Sequence, residues 1–112
     1  MKNTNTLKKN YEFKNVLTNG KGYFGRYINI YIIKEKYTTN KIGIAVGKKT
    51  AKAVKRNLIK RWIREAYYRF ESNLNESYRI VFVLKKNVDI RDLDFWKIKK
   101  DMEMLFKKAG II

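Results

Sequence analysis

Cysteine, histidine and proline are absent from this chain, and acidic residues are scarce. Without cysteine there is no disulfide, thiolate metal site or thiol nucleophile. Without histidine there is no imidazole ligand and no side chain that ordinarily titrates near neutrality. Those absences argue against most enzymes that act alone. No apolar run approaches the ~20 residues that cross a bilayer, and the opening residues, with Lys2, Lys8 and Lys9 among Asn and Thr, lack the apolar centre of a signal peptide. A cytoplasmic protein with no membrane partner is the expectation. No linker, repeat or low-complexity tract divides the chain. A length of 112 residues suits one core better than two, so residues 1–112 are expected to form a single domain.

What the chain has is positive charge. Twenty-seven Lys and Arg against ten Asp and Glu give a formal charge of +17. A compact domain tolerates such self-repulsion best when a polyanion neutralises it. A codon-driven excess of lysine should have enriched glutamate as well, and it has not. The charge is also uneven. Residues 36–64 contain no acid, whereas residues 71–103 hold seven of the ten, so one face should carry most of the positive potential and nucleic acid is the first partner to consider.

Hydrophobic spacing sorts the chain into helices and strands. Asn10 is placed to cap a short helix running to Asn19, with Glu12 in its first turn and Gly20 just beyond; Phe13, Val16 and Leu17 share one side. Residues 27–33 alternate Ile28, Ile30 and Ile32 with Tyr27, Asn29 and Tyr31, the two-residue period of a strand with one buried face. Residues 41–47 do the same. There Ile42, Ile44 and Val46 turn inward, and Gly43, Ala45 and Gly47 leave the other surface nearly bare. Residues 78–84 are apolar on both faces apart from Arg79, as in a deeply buried strand. Asp94 is placed to cap a last helix with Ile98, Met102, Leu105 and Phe106 along one stripe and Gly110 as its stop. Clusters of Gly and Asn at 19–25, 38–40 and 72–77 punctuate these elements. The order predicts an α+β sandwich, helices packed on a small sheet.

The long helical pattern at 51–70 carries the functional argument. At about 100° per residue, Val54, Leu58, Ile59, Trp62, Ile63, Ala66, Tyr67 and Phe70 fall on one arc, an ordinary core face. Arg56, Asn57, Lys60, Arg61 and Arg64 fall on the other. Arg56, Lys60 and Arg64 are like charges at i, i+4 and i+8, each such pair costing a few tenths of a kcal/mol in an isolated helix. Only Glu65 interrupts them. The row spans roughly 12 Å at 1.5 Å per residue, enough to reach successive phosphates, and Ala53 beside it adds no bulk. Elsewhere, Asp89, Asp92 and Asp94 read as turn and cap residues, not as a metal site.

The same segment, KKTAKAVKRNLIKRWIREA at 48–66, closely resembles the signature helix of bacterial ribonuclease P proteins. LKKNYEFKNVLTNGK, YINIYII, KIGIAVGKK and DMEMLFKKAG follow that family's order and spacing over about residues 7–110. The resemblance implies an α-β-β-β-α-β-α fold with a left-handed β-α-β crossover, shared with a ribosomal-protein domain. It implies a protein subunit that binds a catalytic RNA, carries no catalytic residue, and supports endonucleolytic removal of the 5′ leader of precursor tRNA. Magnesium in such a particle is held mainly by the RNA, and the protein enters as a monomer, with no DNA partner. Carried over by motif, the RNA-binding residues are Lys48, Lys49, Lys52, Lys55, Arg56, Asn57, Lys60, Arg61 and Arg64. By position, the leader-binding cleft is Phe13, Leu17, Tyr27, Asn29 and Tyr31. Leu58 stands where the family usually has arginine, Leu17 where it commonly has an aromatic, and Asn29 where it often has an apolar residue.

Two readings of the cleft stand side by side: its aromatics stack unpaired bases, or they close a second small core beneath the first helix. Other functional classes fit less well. A ribosomal or general RNA-binding protein shares the charge but often carries it on long tails. A DNA-binding regulator would need a helix-turn-helix pair, and a membrane-surface helix would need the apolar arc that the sheet requires.

Overall fold

A computed structural model of the chain describes residues 4–36 and 39–112; Lys2, and Thr38 within the 38–40 punctuation, lie outside them. Five strands form one sheet in the order β1-β4-β5-β3-β2. They are β1 (Thr4–Thr6), β2 (Lys21–Phe24), β3 (Ile28–Lys34), β4 (Asn40–Ala45) and β5 (Tyr78–Leu84), with helices α1 (Asn10–Asn19), α2 (Ala53–Phe70) and α3 (Phe95–Ala109) between or after them. From α1 onward the order is the expected α-β-β-β-α-β-α, with β1 added in front. β4 runs parallel to β5, so their connection is a crossover and contains α2, while β3 is antiparallel to β5 and to β2.

The sheet separates two apolar layers by strand parity. Ile28, Ile30, Ile32, Ile42, Ile80, Phe82 and Leu84 face α2 and α3 and join their Ile59, Ile63, Ala66, Tyr67, Phe70, Ile98, Met102, Leu105 and Phe106 in the main core. Register drives the fit: Phe82 stands opposite Ile30 on one side and Ile44 on the other. The other face holds a smaller cluster of Leu7, Val16 and Val81, against which Phe13, Tyr31, Ile33 and Val83 pack.

Several element ends differ from the sequence pattern. Lys9, not Asn10, occupies the cap position of α1; Asn10 already belongs to the helix, and the Glu12 carboxylate reaches back to accept from the Lys9 backbone N–H at 3.2 Å. α2 starts at Ala53, two residues later than the pattern predicts, because 47–51 form a turn closed by the Thr50 N–H to the Gly47 carbonyl. Val54, placed on the core arc by periodicity, is 83% exposed, since the first fully enclosed residue of α2 is Ile59. β1 lies outside the expected order, and β2, its first strand, has no residue pattern of its own to mark it. The α3 ends agree: Asp94 accepts from the Lys97 N–H at 2.9 Å, and Gly110 closes the helix in the left-handed region at φ 75°.

One long-range contact shapes the β2–β3 turn. Asp101 of α3 is buried, and its carboxylate accepts three successive backbone N–H groups, those of Arg26, Tyr27 and Ile28, at 2.9–3.0 Å. Gly25 lies so close that a Cβ there would meet the Asp101 oxygens at 2.5–2.6 Å. Charged acceptors make stronger hydrogen bonds than neutral ones, so this one side chain locks the turn to α3.

Candidate nucleic-acid interface

The outer face of α2 carries the basic row as anticipated, with unequal roles. Asn57, Arg61 and Arg64 are exposed and Lys60 is half-buried. Arg61 shares an exposed ion pair with Glu65 at 3.1 Å, worth little in water. Arg56 is partly engaged: its guanidinium donates to the carbonyls of Ala51 at 2.7 Å and Lys48 at 3.2 Å, which fastens the turn to the helix. The Lys55 ammonium lies 5.0 Å from the centre of the Trp62 ring, directed along the helix. Lys52 occupies the cap position with no side-chain cap bond, and the first turn has no acid. The backbone donors and the positive dipole end of α2 are therefore not offset by a local carboxylate.

Lys48 and Lys49 leave β4 at its carboxyl end. With Gly47, Thr50 and Lys86, which follows β5, they line a cavity of about 340 Å³. The carboxyl ends of adjacent parallel strands are where open α/β sheets bind ligands, and here three lysines converge. Lys86 escaped the sequence reading because it lies more than thirty residues beyond Lys49 and becomes a neighbour only through β4–β5 pairing.

The cleft between α1 and the sheet contains most of the expected residues. The Phe13 ring occupies the space over Gly43, where a Cβ would lie 2.5 Å from it, and Phe13 and Tyr31 both pack on the smaller cluster. That end of the cleft is a second core. The other end is open: Leu17 is exposed, and Phe24, 58% exposed, packs edge-on against Tyr31 at 6.0 Å between ring centres. Phe24 stands directly opposite Asn29 across the β2–β3 ladder. The Asn29 Oδ1 atom is enclosed without a hydrogen-bond partner. An unpaired buried acceptor costs roughly 1–3 kcal/mol, a loss that folds tolerate mainly at functional sites.

Tyr27 is not in this cleft, contrary to the sequence expectation. Its N–H is taken by Asp101 and its carbonyl accepts from the Lys85 N–H at 3.0 Å. β3 therefore begins only at Ile28, and the Tyr27 ring packs against the main core on the α3 side. Phe24 takes the aromatic place that Tyr27 was expected to fill. Its signal was the adjacent aromatics Tyr23 and Phe24, one for each face of a strand, hidden within a glycine-rich stretch that reads as turn.

Among the described residues no group of three or more acidic side chains is placed to hold a metal. The acids that cluster in sequence have other roles: Asp89 pairs with Arg91 at 3.0 Å, which holds its carboxyl below the usual range, and Asp94 caps α3. They do not fit a magnesium site.

A family model described as Ribonuclease P matches residues 1–110. The chain belongs to the ribonuclease P protein family. It is 43% identical over 111 residues to the ribonuclease P protein component of Fusobacterium nucleatum, covering 96% of this chain and 99% of that protein. The ribonuclease P protein of Staphylococcus aureus superposes with a TM-score of 0.83 at 28% identity over 95% of each chain. That of Thermotoga maritima superposes with a TM-score of 0.82 at 26% identity over 93% of this chain and 96% of that one. The mixed α+β architecture is thus the ribonuclease P protein fold.

Proposed function

We propose that this chain is the protein subunit of ribonuclease P. In this reading it binds the catalytic RNA through α2 and the turn before it. It holds the single-stranded 5′ leader of precursor tRNA in the cleft between α1 and the sheet, and it supports hydrolysis of the phosphodiester at the mature 5′ end. Family membership implies a role in tRNA 5′ processing. The observation that carries the finer reading is the open end of the cleft, where Phe24 and Tyr31 form an edge-on pair beside the unpaired Asn29 oxygen. Stacked aromatics accept any base, and the half-buried Asn29 amide beside them can donate as well as accept.

The division of labour follows from the side chains. With neither His nor Cys, and with Asp89 and Asp94 engaged, the chain contributes charge and positioning. Lys60, Arg64, Lys48, Lys49 and Lys86 screen the repulsion between two RNAs, each lined with phosphates. The cleft adds binding energy available only to a tRNA that still has its leader, so precursor is held more tightly than product. Stacking worth about 1–3 kcal/mol per base corresponds to roughly 5- to 100-fold. Magnesium belongs to the RNA phosphates in this reading. The particle is cytoplasmic and contains the protein as a monomer.

The test combines the purified chain with a bacterial ribonuclease P RNA and a 5′-extended precursor tRNA at low magnesium, beside RNA-only and protein-only controls. The expected result is efficient cleavage at the mature 5′ end in the mixture alone. Phe24→Ala should then weaken precursor binding by roughly 5- to 100-fold and leave mature tRNA binding unchanged. No enhancement with any matched RNA would favour a structural RNA-binding protein instead, and equal loss for precursor and product would make the cleft a second core throughout.

A further inference from the structure

The displacement of Tyr27 from the cleft creates a second surface. Between the β2–β3 turn and α3 lies a cavity of about 500 Å³ lined by Arg26, Tyr27, Lys97, Lys100, Asp101 and Met104. Tyr27 belongs to the α3 side of the sheet, whereas Phe13 and Tyr31 pack on the α1 side, so this cavity and the leader cleft are on opposite faces. Two of its walls, the Tyr27 ring and the Met104 side chain, are apolar; three are cations. Asp101 is its one acid, and both carboxylate oxygens accept backbone N–H groups. The Arg26 guanidinium lies over the Tyr27 ring, 5.4 Å from its centre, which keeps a flat cation against an aromatic face. A neighbouring cavity of about 380 Å³ shares Arg26, Tyr27 and Lys97 and adds Lys85, making the feature a groove. The acids there are Asp89, paired with Arg91, and Asp92. One turn before Lys100 on the same helix, Trp96 is 66% exposed.

We propose that the groove between α3 and the β2–β3 turn is a binding site for single-stranded RNA, separate from the leader cleft and from the basic face of α2. Cations alone would suit any polyanion. Flat apolar walls beside them suit a polyanion that also presents π-faces, and in RNA those faces are available only where the strand is unpaired. Arginine guanidinium and aromatic rings are the surfaces on which such bases stack. An acidic protein segment would use the cations and leave Tyr27, Met104 and Trp96 without purpose.

The test follows backbone amide shifts of the full-length, isotope-labelled protein during titration with a short oligouridylate, with polyglutamate of equal charge as the comparison. The amides of Tyr27 and of residues 97–104 should move with oligouridylate. In an Arg26→Glu/Lys100→Glu variant, both sites being exposed, the groove response should weaken roughly tenfold while the melting midpoint and the Asn29 and Tyr31 responses hold. The milder Arg26→Gln/Lys100→Gln pair should show the same selectivity. Groove amides that stay still while the cleft saturates would overturn the proposal, as would equal shifts with polyglutamate or an undiminished response in both variants. Groove shifts with a silent cleft would uphold it and count against the leader reading.

Discussion

Tyr67 is fully enclosed, and its hydroxyl bonds to the Thr4 hydroxyl at 2.7 Å, which in turn donates to the Glu71 carboxylate. That chain fastens the edge strand β1 to α2. Burial, the largest influence, raises the Tyr67 hydroxyl well above its ordinary 10.0. Because the folded value lies above the unfolded one, the stabilisation is complete below the unfolded pKa and is lost as pH rises past it. Tyr67→Phe should therefore cost about 1 kcal/mol near neutrality through the missing hydrogen bond. By about pH 11 it should match the unsubstituted protein, because ionisation of the unfolded tyrosine is worth about 1.4 kcal/mol per pH unit. Paired urea midpoints at about pH 9 and about pH 11 check this; lysine titration is common to both proteins and cancels in the difference. Asn29 makes the complementary case. Asn29→Val removes an enclosed, unpaired oxygen and should raise stability by about 1 kcal/mol while narrowing the gap between precursor and mature tRNA affinity. Loss of stability in a thermal melt would mean that the oxygen has a partner in the folded protein.

At the scale of elements, α2 was legible because eighteen residues at a helical period leave little choice of face; β3 and β5 were legible from seven residues each. β1 was not, because Thr4, Asn5 and Thr6 carry no apolar alternation and owe their strand to backbone pairing with β4. β2 was not, because Gly22 inside four residues resembles punctuation. Tyr27 was misplaced because strand parity cannot register a carboxylate 74 positions away that takes its amide. Arg56 shows the same gap in the site: its charge was evident, its two bonds to turn carbonyls were not. The distinction has a consequence for α2. Lys60→Ala with Arg64→Ala should leave unfolding within about 0.5 kcal/mol, weaken binding to ribonuclease P RNA, and reduce the salt slope of that binding by nearly two. Arg56→Ala should in addition destabilise the fold by roughly 1–2 kcal/mol. Filter binding across a salt series beside urea melts separates the two roles; an unchanged slope would remove this face from the interface.

Over the whole molecule, the balance of +17 is spread through a body of 37 × 28 × 25 Å. Among the described residues the ion pairs Lys34–Glu76, Arg61–Glu65 and Lys107–Glu103 are exposed, and such pairs contribute about 0–1 kcal/mol each. Local pairing therefore does not offset the net repulsion, and screening decides how much of it is felt. At 0.01 M salt the Debye length is about 30 Å, comparable with the molecule, so nearly every cation senses the others. At 0.15 M it is about 8 Å, and only neighbours along α2 or around the lysine cavity still interact. The thermal midpoint should accordingly rise steeply between those salt concentrations and level off above them. Sulfate should raise it more than chloride at equal ionic strength, because a divalent anion can engage Lys48, Lys49 and Lys86 together. A midpoint independent of salt would mean that the folded state does not concentrate this charge relative to the unfolded chain. A salt rise identical for both anions would remove the lysine cavity from the account and leave diffuse screening as the whole effect.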